Sequence, residues 1–211
     1  MFVLWNSVLV MVNYTEEIMR RHRMPQVFFY TMLTIPNLLL IAGTGNKSGK
    51  TTLACRVIEQ FRQCGITAVK ITPHFHETTP GLLLVSENKG YSIYEELDSQ
   101  SGKDTSRMLS AGAQKVYFAK VTDNNLLNAF TEIIRFVPDG TPIVCESPGL
   151  RYFLDPGIFI IMKAEGADNN KDINKLLKLP HVLMKLNDLN KIERLPFSFS
   201  DGRWAFNTLF D

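Results

Sequence analysis

A chain of 211 residues, 45% hydrophobic and 21% charged, is sized for one domain with a substantial core and a short appendage. Its net charge of +2 is too small to argue for nucleic acid or an anionic membrane surface as a partner. Cys55, Cys64 and Cys145 show neither paired spacing nor a metal-ligand pattern, and read as core thiols of a reducing cytoplasm.

Residues 1–36 read as an N-terminal extension. The run from Met1 to Val12 is apolar but too short to span a bilayer. The basic cluster Arg20-Arg21-His22-Arg23 follows it, whereas a secretory signal places its positive charge first. Asn13 with Glu16 could make a capping box. A translation start assigned too early, with Met24 and Met32 as alternatives, is weighed above a membrane-associated segment.

Residues 37–211 read as a nucleotide-binding domain. Leu38 to Ala42 is an unbroken apolar run of the kind seen in strands buried on both faces. Leu53, Ala54, Val57, Ile58 and Phe61 then recur at helical spacing. Between them, Gly45-Asn46-Lys47-Ser48-Gly49-Lys50-Thr51-Thr52 carries the end of the phosphate-loop template G-x-x-x-x-G-K-[ST]. Strand, glycine-rich turn and helix together are the setting in which backbone N–H groups and a helix dipole cradle phosphate. Lys50 would reach the terminal phosphates and the Thr51 hydroxyl would ligate Mg²⁺. The template's first glycine falls on Thr44, which is tolerable if its φ is negative and if Gly43 and Gly45 absorb the unusual torsions.

Further strands are predicted at 67–71, 115–121, 142–145, 158–162 and 182–184, with helices at 103–109, 124–136 and 169–178. Residues 82–96 suggest a hairpin turning at Asn88-Lys89-Gly90. The tail from Leu195, with Trp204 and Phe206, fits no single element. Alternating strands and helices predict an α/β fold of the P-loop NTPase type. It would have a mostly parallel central sheet, helices on both faces and the hairpin as a small insertion. Ligands of such sheets gather at the carboxyl ends of the strands, where the 44–51 loop, the 72–80 loop and Glu146 emerge.

Glu146 closes an apolar strand, a position suited to holding Mg²⁺ through water or orienting an attacking water. His74, His76 and Glu77 resemble metal ligands but lack further partners at zinc spacing, and fit better as loop residues facing a phosphate-bearing substrate. Leu186-Asn187-Asp188 has only a faint likeness to a guanine-reading motif, with Lys185 too early.

The order of these pieces resembles the molybdopterin-guanine dinucleotide biosynthesis protein B family. Gly49-Lys50-Thr51-Thr52 is followed by Lys70 with His74 and His76, by Gly102-Lys103-Asp104-Thr105 running to Ala111-Gly112-Ala113, and by Val144-Cys145-Glu146-Ser147. The resemblance covers roughly residues 37–165, and GKDTSRMLSAGA is its most specific part. Thr72 stands in place of a histidine, an extra hairpin intervenes, and Ser147 replaces a glycine. The resemblance implies GTP with Mg²⁺, weak hydrolysis, and service to a cofactor-biosynthesis enzyme. It implies substrate contacts at His74, His76, Lys103, Asp104 and Arg107, and a metal role for Asp104 beside Thr51 and Glu146. Lys50 and Glu146 are the expected catalytic pair, with GTP or ATP as the nucleotide. A small-molecule kinase and a non-catalytic nucleotide-dependent adaptor stay open, as does a homodimer.

Overall fold

The computed structural model describes residues 32–45, 47–74, 79–164 and 173–207. The chain divides into two units, Met1–Thr31 and Met32–Asp211, and every described residue belongs to the second. The N-terminal capping box and the apolar run therefore lie outside the described residues, as do Asn46, His76 and Glu77.

The fold is α/β, with one large and mostly parallel sheet. Its eight strands run in the order β3-β4-β5-β2-β6-β1-β7-β8. They are β1 (Leu33–Gly43), β2 (Thr67–Thr72), β3 (Leu82–Asn88), β4 (Tyr91–Glu96), β5 (Lys115–Val121), β6 (Ile143–Glu146), β7 (Leu154–Lys163) and β8 (Val182–Lys185). The stretch from β5 to β8 is parallel throughout, whereas β4 is antiparallel to both β3 and β5. The hairpin expected as an insertion thus extends the edge of the main sheet.

β1 is central, paired with β6 on one side and β7 on the other. Strand alternation sends Leu38, Leu40 and Ala42 to one core and Leu39 and Ile41 to the other. The first core is covered by α3 (Leu126–Ile134), through Leu126, Ala129, Phe130 and Ile133. The second is covered by α1 (Lys50–Gln60) and α2 (Asp104–Ser110), with Leu53, Ala54, Val57 and Ile58 buried as the spacing predicts. A fourth helix, α4 (Leu186–Lys191), follows β8.

Several boundaries differ from expectation. β1 begins at Leu33, ahead of the expected domain start at residue 37, and carries Pro36 and Asn37 inside it. Its register with β7 shifts between Ile35 and Leu39, which lets a proline sit in a central strand without a broken ladder hydrogen bond. In the stretch read as a helix over 169–178, the described part holds only a short 3₁₀ turn, Leu176–Lys178. The ambiguous tail is a hairpin of β9 (Phe197–Ser200) and β10 (Arg203–Phe206), in which Trp204 stacks edge-on against Phe61 with centroids 5.0 Å apart. Cys145 is buried, but Cys55 and Cys64 are only half-buried, and Cys64 closes a 3₁₀ turn beyond α1.

Gly157 lies on β7 opposite the bulge, where a Cβ would come within 2.1 Å of the Pro36 carbonyl oxygen. That neighbour is backbone and cannot rotate away, so an added methyl must separate two central strands. Gly157→Ala should destabilise the fold by about 1–3 kcal/mol, the usual cost of overpacking. An unchanged urea midpoint would show that β1 and β7 do not approach this closely.

Candidate functional site

Because β1, β2, β5, β6, β7 and β8 are parallel, their carboxyl ends share one edge of the sheet. The segment after β1 emerges there. Thr44 extends the ladder by donating its N–H to Met162 O at 3.1 Å, and its hydroxyl accepts the Ala164 N–H at 2.9 Å. The side chain therefore satisfies an amide that a glycine would leave open. The unusual torsions fall elsewhere: Lys47 has φ 56 and Gly49 has φ 90, whereas Gly43 is not among the residues with positive φ. Gly43 is needed for room instead, since a Cβ there would lie 2.3 Å from Ser48 Oγ and 2.9 Å from the Lys50 side chain.

The loop ends on Gly49 as the N-cap of α1, with no side-chain cap. The first N–H groups of a helix have no intrahelical acceptor, so α1 presents open donors and the positive end of its dipole here. Lys50 Nζ folds back on the loop, donating to Gly45 O at 2.9 Å and to Ser48 Oγ at 3.3 Å. Lys47 is exposed, Ser48 is buried and Thr52 is half-buried. Gly49 also packs tightly against α4, where a Cβ would lie 3.1 Å from Leu186. The guanidinium of Arg56 fixes α4 from behind by donating to the carbonyls of Leu189, Ile192 and Glu193.

Thr51 and Glu146 meet. The parallel pairing of Ile41 with Glu146 sets the end of β6 beside β1, and the Thr51 hydroxyl donates to Glu146 Oε2 at 2.9 Å. Glu146 is only 6% exposed, and an unpaired carboxylate there would be costly. Lys70 supplies the charge: on the neighbouring β2 it pairs in register with Glu146, its Nζ lies 3.7 Å from Glu146 Oε1, and it bonds Asp104 Oδ2 directly. Arg107 stands one turn along α2 with Nη1 3.8 Å from Asp104 Oδ1.

Of the expected residues, Lys50, Thr51, Asp104, Arg107 and Glu146 are thus gathered at one edge. Lys103 and His74 are not. Lys103 is the exposed N-cap of α2, and His74 is an exposed loop residue whose N–H donates to Thr72 Oγ1 at 3.2 Å. Lys70 was reachable from sequence, because a lysine between Val69 and Ile71 in an apolar strand signals a buried partner.

Partial burial favours the neutral form of Asp104, but the Lys70 hydrogen bond and charge, with Thr51 and Arg107, hold its carboxyl below the ordinary value. Burial pushes the Cys55 thiol up to about 11, with Glu59, Asp104 and Glu146 adding to the effect and Arg107 opposing it. That thiol is therefore no nucleophile at neutral pH. Lys50, Lys70 and Arg107 stand at this edge with Asp104 and Glu146, three cations to two carboxylates, so the cluster carries a net positive charge.

Among the described residues no three His, Cys, Asp or Glu side chains come together as a metal site, and His76 and Glu77 lie outside those residues. Mg²⁺ asks less of a protein, one or two carboxylates with a hydroxyl, and Thr51 with Glu146 fits that donor set. No described helix is long and apolar enough to cross a membrane. No family model, curated protein or solved structure matches the chain.

The Asp104 pairing has a pH signature. A carboxylate whose folded pKa is depressed contributes stability above its unfolded value of 3.8, and that stability is lost as pH falls through the lower folded value. Urea midpoints should therefore fall more steeply below about pH 4 in the parent than in Asp104→Asn. Parallel acid limbs for the two proteins would contradict the Lys70–Asp104 pair.

Proposed function

We propose that the chain binds a nucleoside triphosphate with Mg²⁺ at residues 44–51 and hydrolyses it slowly, as expected of a P-loop NTPase. The observation that carries the reading is the Thr51 hydroxyl at 2.9 Å from a buried strand-end carboxylate, on the strand beside the loop. A helix N-terminus without a side-chain cap supports it, with a lysine that folds back on the loop to a carbonyl and a serine hydroxyl.

Each residue has a role. The backbone amides of the loop and of the first turn of α1 hold the phosphate oxygens. Lys50 exchanges Gly45 O and Ser48 Oγ for a terminal phosphate, gaining an anionic acceptor in place of neutral ones. Thr51 and Glu146 would hold Mg²⁺, which when bound offsets charge on the phosphates. Glu146 also orients a water for attack on the γ-phosphorus while the bond to the bridging oxygen breaks. Lys70 fixes the Glu146 carboxylate, and Asp104 in turn fixes Lys70. A loose phosphoryl-transfer transition state depends mainly on such placed charge.

The resemblance to the molybdopterin-guanine family points to GTP as the nucleotide. Leu186 packs at Gly49, which sets Asn187 and Asp188 on the helix next to the loop. If an added small molecule accepted the phosphoryl group, the activity would be that of a kinase.

Two variants test the reading together. Lys50→Ala should weaken triphosphate binding by at least about tenfold, since a charge-assisted bond contributes roughly 1.5–3 kcal/mol. Glu146→Gln keeps the hydrogen bond from Thr51 but removes the charge. It should cut hydrolysis at least about tenfold and change triphosphate affinity only modestly. Titration and a phosphate-release assay separate the outcomes, and parent-like values for both variants would end this reading.

A further inference from the structure

A cleft of about 340 Å³ opens at the carboxyl ends of β2, β5 and β6, on the sheet face covered by α3. Small-molecule sites begin at about this size. The polar cluster does not line it. Lys70 and Glu146 face α1, whereas Ile71 and Ser147, the next residues along the same two segments, line the cleft on the opposite face.

The walls are apolar, formed by Ile71, Val121, Leu126 and Leu176. Ser147, Asp123 and the Tyr152 phenol supply the polar side chains of the lining. Ser147 is 1% exposed, yet no hydrogen bond among the described residues engages its hydroxyl. Asp123 is exposed, its carboxylate joins no ion pair among the described residues, and it is the one charged group in the lining. An apolar wall, an open hydroxyl and, among the described residues, a single negative charge without a counterion select against anions. Carboxylates and phosphate esters are disfavoured here, although the net positive cluster across the sheet favours them.

We propose that this cleft is a binding site for a small primary amine with an apolar body. The hydrocarbon lies against Ile71, Val121, Leu126 and Leu176, the ammonium is held by the Asp123 carboxylate, and the Ser147 hydroxyl meets a polar atom of the ligand. The site is separate from the nucleotide site in lining and in charge preference.

The test is methyl NMR on the full chain, labelled at Ile, Leu and Val, titrated without nucleotide with benzylamine, benzyl alcohol and benzoate. Benzylamine should shift the Ile71, Val121 and Leu126 methyls saturably and bind at least about threefold more tightly than benzoate, the scale of an exposed charge pair. Asp123→Asn should abolish that preference while the other methyl signals keep their positions. Absence of saturable shifts in these methyls, equal affinity for amine and benzoate, or a preference that survives in Asp123→Asn overturns the proposal. Because nucleotide plays no part in the titration, failure of the phosphate-site reading would leave this result untouched.

Discussion

Glu146 ends a strand whose four residues are all buried, and its charge must be met inside the protein. The Thr51 hydroxyl meets one carboxylate oxygen and the Lys70 ammonium approaches the other. Removing one partner of such a buried pair typically costs about 3–5 kcal/mol, a large part of the net stability of a single domain. The constraint therefore propagates. It fixes the start of α1 against β6, sets the register of β2, and through Lys70 and Asp104 places the first turn of α2.

The same strands do two different things on their two faces. Alternation gives the α1 face Lys70 and Glu146, and gives the α3 face Ile71 with Ser147 just beyond β6. A parallel sheet buried on both sides can thus support a charged site and an apolar cleft at the same strand ends. One site carries more cations than carboxylates, and the other has only Asp123.

Much of this was legible in the sequence. Leu53, Ala54, Val57 and Ile58 announced the buried face of α1, and the apolar run before the loop announced a central strand. The convergence of Lys50, Thr51 and Glu146 followed from strand ends sharing one edge. What was missed has physical causes. The boundary expected between residues 36 and 37 falls inside β1, because a bulge opposite Gly157 carries the strand through Pro36 and Asn37. The β9–β10 hairpin had its signal in Asp201-Gly202, which take φ 52 and φ 68 as a tight hairpin turn requires. Thr44 could not be read from a glycine template, because its value lies in a hydroxyl that meets an amide 120 residues away. The α3-face cleft was invisible, since it is assembled from β2, β5, α3 and a distant 3₁₀ turn with no common motif.

The central claim is that residues 44–51 with Glu146 form a metal-dependent triphosphate site. Calorimetric titration of the full chain with GTP, ATP and their diphosphates, with and without Mg²⁺, tests it most directly. The account predicts saturable triphosphate binding at one site, strengthened by Mg²⁺ and weaker for the diphosphates, with GTP preferred over ATP. Absence of heat with every nucleotide, or binding indifferent to both Mg²⁺ and the terminal phosphate, would contradict it.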